Sequence, residues 1–146
     1  MLVGEALRVD LSALQALPNV TLIGEVPYAR LPEYIHGFDV CVLPYRICNY
    51  ALASDPMKVW EYLAAGKPVV AMRFPEIERL KDMITLTDNP EEFVQGIRTA
   101  FCTDNHQKAE ERKAFAGSNT WSRRCDAMEK AVASFFPKGR GRDGHC

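Results

Sequence analysis

The chain has 146 residues, of which 47% are hydrophobic and 25% charged, and its formal net charge is −1. This length suffices for one domain with a core, and the near-neutral charge gives no case for binding nucleic acid or an anionic membrane surface. No apolar run is long enough for a transmembrane helix, and the first residues carry no signal-peptide pattern. Five widely spaced cysteines without a C-x-x-C pair favour reduced thiols and a cytoplasmic protein.

Short apolar segments alternate with helical patterns in the N-terminal part of the chain. Strands are predicted at 2–4, 20–24, 39–44, 69–72 and 84–87. Helices are predicted between them, at 11–17, 31–35, 56–65 and 76–82. This alternation predicts an α/β domain with a parallel sheet of right-handed βαβ units. Ligands of such sheets bind beyond the carboxyl ends of the strands, so we expect a site there.

The rest of the chain is predicted to be helical. Asn89 and Pro90 begin one helix, a polar helix follows at 106–116, and the last helix begins near Thr120. The apolar face of the last helix starts at Trp121, which we expect to lie in the core. The Gly-rich, basic tail 137–146 is predicted to be disordered, so the domain is expected to span 1–136.

The helix predicted at 56–65 has a defined start and a defined end. Asp55 is a suitable N-cap, and Pro56 at the first helical position presets φ. Gly66 suits the left-handed residue after the helix, and Pro68 prevents its continuation. The start of such a helix offers free N–H groups and the positive end of its dipole, which together favour an anion.

Two charged residues in this helix suggest what the anion belongs to. Lys58 adds a cation to the first turn, and Glu61 lies roughly 7 Å further along the axis. Because an ionised carboxylate can accept hydrogen bonds from both hydroxyls of a ribose, this spacing suits a nucleoside diphosphate. The simpler interpretation, favoured by the spacing alone, is an ordinary Lys58–Glu61 ion pair at i, i+3.

Three sequence blocks, at 19–34, 38–46 and 54–70, together resemble the C-terminal half of GT-B glycosyltransferases. The blocks read NV…G-x-VPY-x-x-LP-x-Y, FDV…LPYR and S-x-P-x-K-x-x-EYLAAGKPVV. The resemblance covers about 1–135 and is nearest to retaining bacterial enzymes that build cell-surface polysaccharides. It implies a Rossmann-like, three-layer domain with a parallel sheet and C-terminal helices. It also implies a nucleotide-sugar donor domain of a glycosyltransferase, here of hexosyltransferase type.

The resemblance implies roles for residues of the predicted helix. Glu61 matches the glutamate that holds the ribose hydroxyls of the donor. Pro56, Met57 and Lys58 match the helix start that meets the diphosphate. The donor would therefore lie along the first turns of this helix.

Two loops are implied to complete the donor site. Val26, Pro27 and Tyr28 match the segment that packs on the base, and Tyr45 and Arg46 would line the pocket. Of these residues, Tyr28 is the candidate for stacking on the base, since tyrosines otherwise commonly border a core.

One family position departs from the pattern. Many relatives carry a further glutamate, seven residues before the ribose glutamate, that touches the donor sugar. Counting back from Glu61, that position is Ala53. We expect either that this contact is missing or that Ser54 or Asp55 supplies it.

The resemblance also implies what lies outside these residues. The first βα unit of the domain is expected to precede Met1, and so is the N-terminal acceptor-binding domain, which would carry the catalytic residues. The chain is therefore expected to be an inactive fragment of a longer enzyme. That enzyme would be cytoplasmic, at the inner face of the membrane.

Metal and cofactor sites are not predicted. His36, His106 and His145 lie far apart, and the sequence has no Asp-x-Asp motif. GT-B enzymes stabilise the leaving diphosphate with a helix dipole and basic side chains, so no cofactor is expected beside the donor. The adjacent Arg123 and Arg124 are interpreted as solvated charge rather than a nucleic-acid patch.

Two other functions are compatible with the pattern. The domain could be a non-catalytic module that binds a nucleotide or a protein partner. It could also be half of a sugar-nucleotide epimerase with the same fold, although the acidic and histidine groups that such an enzyme needs around the sugar are not found here.

Overall fold

The computed structural model describes residues 1–6, 9–46 and 55–135. These residues form the strands β1 (Leu2–Val3), β2 (Leu22–Gly24), β3 (Cys41–Leu43), β4 (Val69–Met72) and β5 (Thr85–Thr87). They also form the helices α1 (Ser12–Gln15), α2 (Leu31–His36), α3 (Met57–Ala64), α4 (Pro90–Thr103), α5 (His106–Gly117) and α6 (Trp121–Phe135). Tyr28–Arg30 and Pro75–Leu80 are 3-10 helices. The second of these lies where a helix was predicted at 76–82, and it is wound more tightly than an α-helix.

All strand pairs are parallel, but they belong to two sheets. β1 pairs with β2, and β3, β4 and β5 form a second sheet in that order. In the larger sheet Cys41 lies opposite Val69, and Val70 lies opposite Thr85. The α/β class with parallel strands and C-terminal helices is confirmed, while the strands formed by the described residues do not join into one continuous sheet.

The larger sheet is covered on both faces, which makes three layers. Val69 and Ala71 share a buried cluster with Val59 and Leu63 of α3, as expected for alternate residues of a strand that point to the same side. Val70 points to the other face, where a Cβ at Gly96 of α4 would lie 3.2 Å from its Cγ1. Glycine at this position therefore allows α4 to pack closely on β4 and β5.

A buried arginine fixes the C-terminal end of α3. Gly66 follows the helix with φ +75°, as predicted, and its carbonyl would have no partner within the helix. Arg112 of α5 donates to that carbonyl from Nε at 2.9 Å and from Nη2 at 2.7 Å. Arg112 also pairs with Asp104 at 2.6 Å, so its buried charge is neutralised.

The last helix differs from its prediction. Trp121 is 62% exposed, and no residue of α6 is buried, so its assignment to the core is wrong. The apolar residues of α6 recur at helical spacing and so share one face of the helix. Among the described residues, no element covers that face fully. None of the described helices has the length and apolarity needed to cross a membrane. The predicted tail 137–146 lies outside the described residues.

Candidate functional site

Helix α3 begins beside the carboxyl end of the larger sheet. Pro56 is the residue before the helix, and no side chain of residues 1–6, 9–46 and 55–135 caps the first turn. The predicted capping by Asp55 is wrong, because its carboxylate accepts instead from Arg79 at 2.6 Å and from Arg124 at 3.3 Å. The first turn therefore keeps backbone N–H groups that no side chain of the described residues satisfies.

The two arginines beside Asp55 come from distant parts of the chain. Arg124 of α6 lies 5.3 Å from the ring centroid of Trp60 and 5.4 Å from that of Trp121. It is thus held by two indoles and a carboxylate, which corrects its interpretation as solvated charge. The proximity of Arg79 to Asp55 could have been predicted, because Arg79 follows β4 and therefore lies near the carboxyl edge of the sheet. The contact of Arg124 with Asp55 could not, because no local sequence pattern connects two residues so far apart in the chain.

Glu61 is half-buried on α3 and has one hydrogen-bond partner within the described ranges. The hydroxyl of Tyr28 donates to Glu61 Oε1 at 3.2 Å. The simple ion pair with Lys58 is not formed, and among the described residues Lys58 makes no ion pair. A carboxylate with one moderate hydrogen bond retains most of its capacity to accept others.

Most of the predicted site residues border one cleft. Its lining includes residues that follow β2 and β3 and residues in the first two turns of α3, namely Val26, Pro27, Tyr28, Tyr45, Lys58 and Glu61. Tyr28 is 77% exposed, so its side chain is accessible for stacking. Tyr45 instead packs edge-on against Phe74, with ring centroids 5.8 Å apart.

The remaining predicted residues are not part of this lining. Pro56 is buried beneath the helix start, Met57 is 53% exposed, and Arg46 is exposed. Ser54 and Ala53 lie outside the described residues, so the predicted sugar contact stays a prediction. The structure therefore brings Lys58 together with the residues predicted to contact the base and the ribose. The other residues predicted for the donor site do not line the cleft or lie outside the described residues.

Two tyrosines in the cleft have raised pKa values. The charge of Glu61 and its hydrogen bond raise the pKa of Tyr28 above its ordinary value. Burial raises the pKa of Tyr62 to about 12, with smaller contributions from Cys41, Glu61 and Tyr45. Both hydroxyls therefore keep their protons at neutral pH and can act as hydrogen-bond donors.

This geometry defines a Rossmann-like α/β domain with a cleft at the start of a helix. The family model described as "Glycosyl transferases group 1" matches residues 1–102, and the chain belongs to this family. The predicted resemblance to glycosyltransferases is thereby confirmed.

One relative extends the comparison. TuaH of Bacillus subtilis (strain 168), which is named as a teichuronic acid biosynthesis glycosyltransferase, is 28% identical over 119 residues. The alignment covers 78% of this chain and 30% of TuaH, so the chain spans less than a third of that relative's length. No solved structure matches the chain.

Proposed function

We propose that the chain is the part of a glycosyltransferase that binds a nucleotide-diphosphate sugar. The observation that carries the proposal is the position of Glu61. It shares one cleft with Lys58 and Tyr28 and lies one helical turn from the start of α3, which no side chain in the described part of the chain caps. In this arrangement the diphosphate would meet the helix start and the ribose would meet the carboxylate.

Each part of the donor has a suitable partner. Diphosphate oxygens would accept from the first-turn N–H groups of α3 and from Lys58 Nζ, with support from the positive end of the helix dipole. The ribose hydroxyls would donate to Glu61, in place of or beside the hydroxyl of Tyr28. The exposed ring of Tyr28 would stack on the base.

The same groups explain how this domain would contribute to catalysis. When the bond between the anomeric carbon and the diphosphate breaks, negative charge develops on the leaving diphosphate. The helix start and Lys58 would stabilise that charge more than they stabilise the bound donor. The acceptor and the remaining catalytic groups would come from an N-terminal domain outside these residues. We propose that the intact enzyme transfers a hexose at the inner face of the membrane. We further propose that it acts in polysaccharide biosynthesis, which is supported by the naming of TuaH as a teichuronic acid biosynthesis glycosyltransferase.

Calorimetric titration with UDP, GDP and ADP tests the proposal, on this chain and on the full-length gene product. At least one nucleotide is expected to bind, and Glu61→Ala is expected to weaken it by about 1–3 kcal/mol, as the loss of a charged hydrogen bond does. Glu91→Ala is the control, because Glu91 is exposed on α4 and does not line the cleft. Equal affinity of the Glu61 and Glu91 variants contradicts the assignment of the ribose site.

The two alternative functions give different results. A non-catalytic module would bind a nucleotide without supporting transfer in the full-length protein. An epimerase half would change the sugar of the donor without an acceptor. Product analysis after incubation of the full-length protein with UDP-, GDP- and ADP-hexoses therefore separates the three.

A further inference from the structure

The carboxylate of Asp55 lies next to backbone groups that it does not contact. Asp55 precedes Pro56 and the first turn of α3, and an aspartate in such a turn commonly accepts from the N–H groups two and three residues further on. Here these are the N–H groups of Met57 and Lys58. Val59 N–H, by contrast, donates to Pro56 O at 3.2 Å. An unrestrained Asp55 carboxylate would therefore occupy the groups that the diphosphate is proposed to bind.

Two arginines hold this carboxylate in a different direction, one on each oxygen. Arg79 Nη2 donates to Asp55 Oδ1 at 2.6 Å, and Arg124 Nη1 donates to Asp55 Oδ2 at 3.3 Å. Hydrogen bonds from charged donors to both oxygens fix the orientation of a carboxylate as well as its position. Asp55 consequently does not cap the first turn of α3.

The two guanidinium groups are placed by a tryptophan of the same helix. Arg79 Cζ lies 6.0 Å and Arg124 Cζ lies 5.3 Å from the ring centroid of Trp60. The Trp60 ring in turn stacks on Phe115 of α5, with centroids 5.8 Å apart and an interplanar angle of 14°. Because Trp60 belongs to α3, its cation–π contacts fix both arginines relative to the start of that helix.

These contacts matter more for charge at the helix start than for stability. The side chains of Asp55, Arg79 and Arg124 are 39%, 47% and 33% exposed, and ion pairs so accessible to water contribute little to the free energy of unfolding. A lone carboxylate at the start of α3 would repel a diphosphate. One carboxylate between two guanidinium groups instead leaves a net positive charge there, which favours an anion.

We infer that Arg79 and Arg124 are positioning residues for the diphosphate site, because they keep the Asp55 carboxylate away from the first turn of α3. The N–H groups of that turn then remain available to the donor. The inference rests on the proposed function for the identity of the ligand. Both arginines act through Asp55 and need not touch the donor, so removal of the Asp55 carboxylate should make both of them dispensable for binding.

Calorimetric titration of the Arg79→Ala/Arg124→Ala variant of the full-length gene product tests this role. The ligands are UDP, GDP and ADP, each compared with its nucleoside. Affinity for the nucleoside diphosphate is expected to fall about five- to tenfold, as competition from a capping carboxylate at a helix start predicts, while affinity for the nucleoside stays the same. Addition of Asp55→Ala is expected to restore the affinity to that of the Asp55→Ala single variant. Displacement of α6 alone would not be rescued in this way, so a loss that persists overturns the inference.

The matched control is the Lys81→Ala/Arg123→Ala variant. Both residues are exposed, and they lie close to Arg79 and Arg124 in the chain. The control removes the same two positive charges and leaves the contacts of Asp55 in place, so it is expected to bind the nucleoside diphosphate as the native protein does. An equal loss of affinity in the two double variants overturns the inference, because it shows an effect of overall charge.

The amide proton resonances of Met57 and Lys58 give a result that needs no nucleotide. In the Arg79→Ala/Arg124→Ala variant of this chain, the Asp55 carboxylate is expected to accept from these two groups. Their NMR signals should then move downfield and should follow the protonation of Asp55 in an acid titration, which the native signals should not do. Signals that match those of the native chain overturn the inference. If the native protein binds no nucleotide, the proposed function fails, while this comparison still decides the role of the arginines.

Discussion

The three-stranded sheet and the β1–β2 pair are built from similar apolar residues, yet they differ in burial. Val70 and Ala71 of β4 are fully buried, whereas Leu2 of β1 is 47% exposed and Ile23 of β2 is 37% exposed. The larger sheet is covered by α3 and α4, while α1 has no buried residue. Apolar sequence is thus sufficient to form a strand, but burial depends on whether other elements are present to cover it.

The largest expected difference between the two regions is in packing. Leu63 of α3 is fully buried and Leu14 of α1 is 36% exposed. Leu63→Ala should lower the free energy of unfolding by about 2–5 kcal/mol through lost burial and a residual cavity. Leu14→Ala should lower it by less than about 1 kcal/mol. Urea unfolding of both variants measures the contrast, and comparable losses would show that α1 is as well packed as α3.

Two glycines give a finer comparison, because they share a backbone conformation. Gly66 has φ +75° and Gly24 has φ +79°, but only Gly66 is crowded. A Cβ there would lie 2.8 Å from Lys113 Cε and 3.2 Å from the Ala109 carbonyl oxygen, while nothing lies within 4 Å at Gly24. Gly24→Ala should lower the free energy of unfolding by about 1 kcal/mol, because alanine is strained in the left-handed backbone conformation. Gly66→Ala should lower it by about 2–3 kcal/mol, since α5 must also shift to admit the methyl group. If thermal unfolding shows equal losses of stability for the two variants, α5 can shift away from residue 66 at no measurable cost.

The smallest expected effect is at the contact that joins the two regions. Tyr28 follows β2 and donates to Glu61 of α3, which raises the pKa of Tyr28 above 10.0. Subtracting the alkaline absorbance titration of Tyr28→Phe from that of the native chain should isolate this pKa, and Glu61→Gln should bring it back toward 10.0. Since the folded-state pKa is raised, the stabilisation is present below pH 10 and is lost as the pH rises through the folded value. An unshifted pKa would show that the contact does not persist in solution.

The fold and the site were predictable to different degrees. Alternating strands and helices, and the residues that end α3, have local causes, and the strand 69–72 and Gly66 were predicted correctly. The role of Asp55 was not, because the arginines that compete for its carboxylate are 24 and 69 residues away. The exposure of Trp121 could not be predicted either, since an amphipathic pattern shows that a face is apolar but not what covers it.

The stacking around Arg124 has a practical consequence. The chain contains two tryptophans, one on α3 and one on α6, and both contact this guanidinium. Their emission depends on solvent access and on neighbouring charge. A ligand or domain that draws α6 away from α3 would therefore change the intrinsic fluorescence, so the protein carries its own optical reporter of that movement.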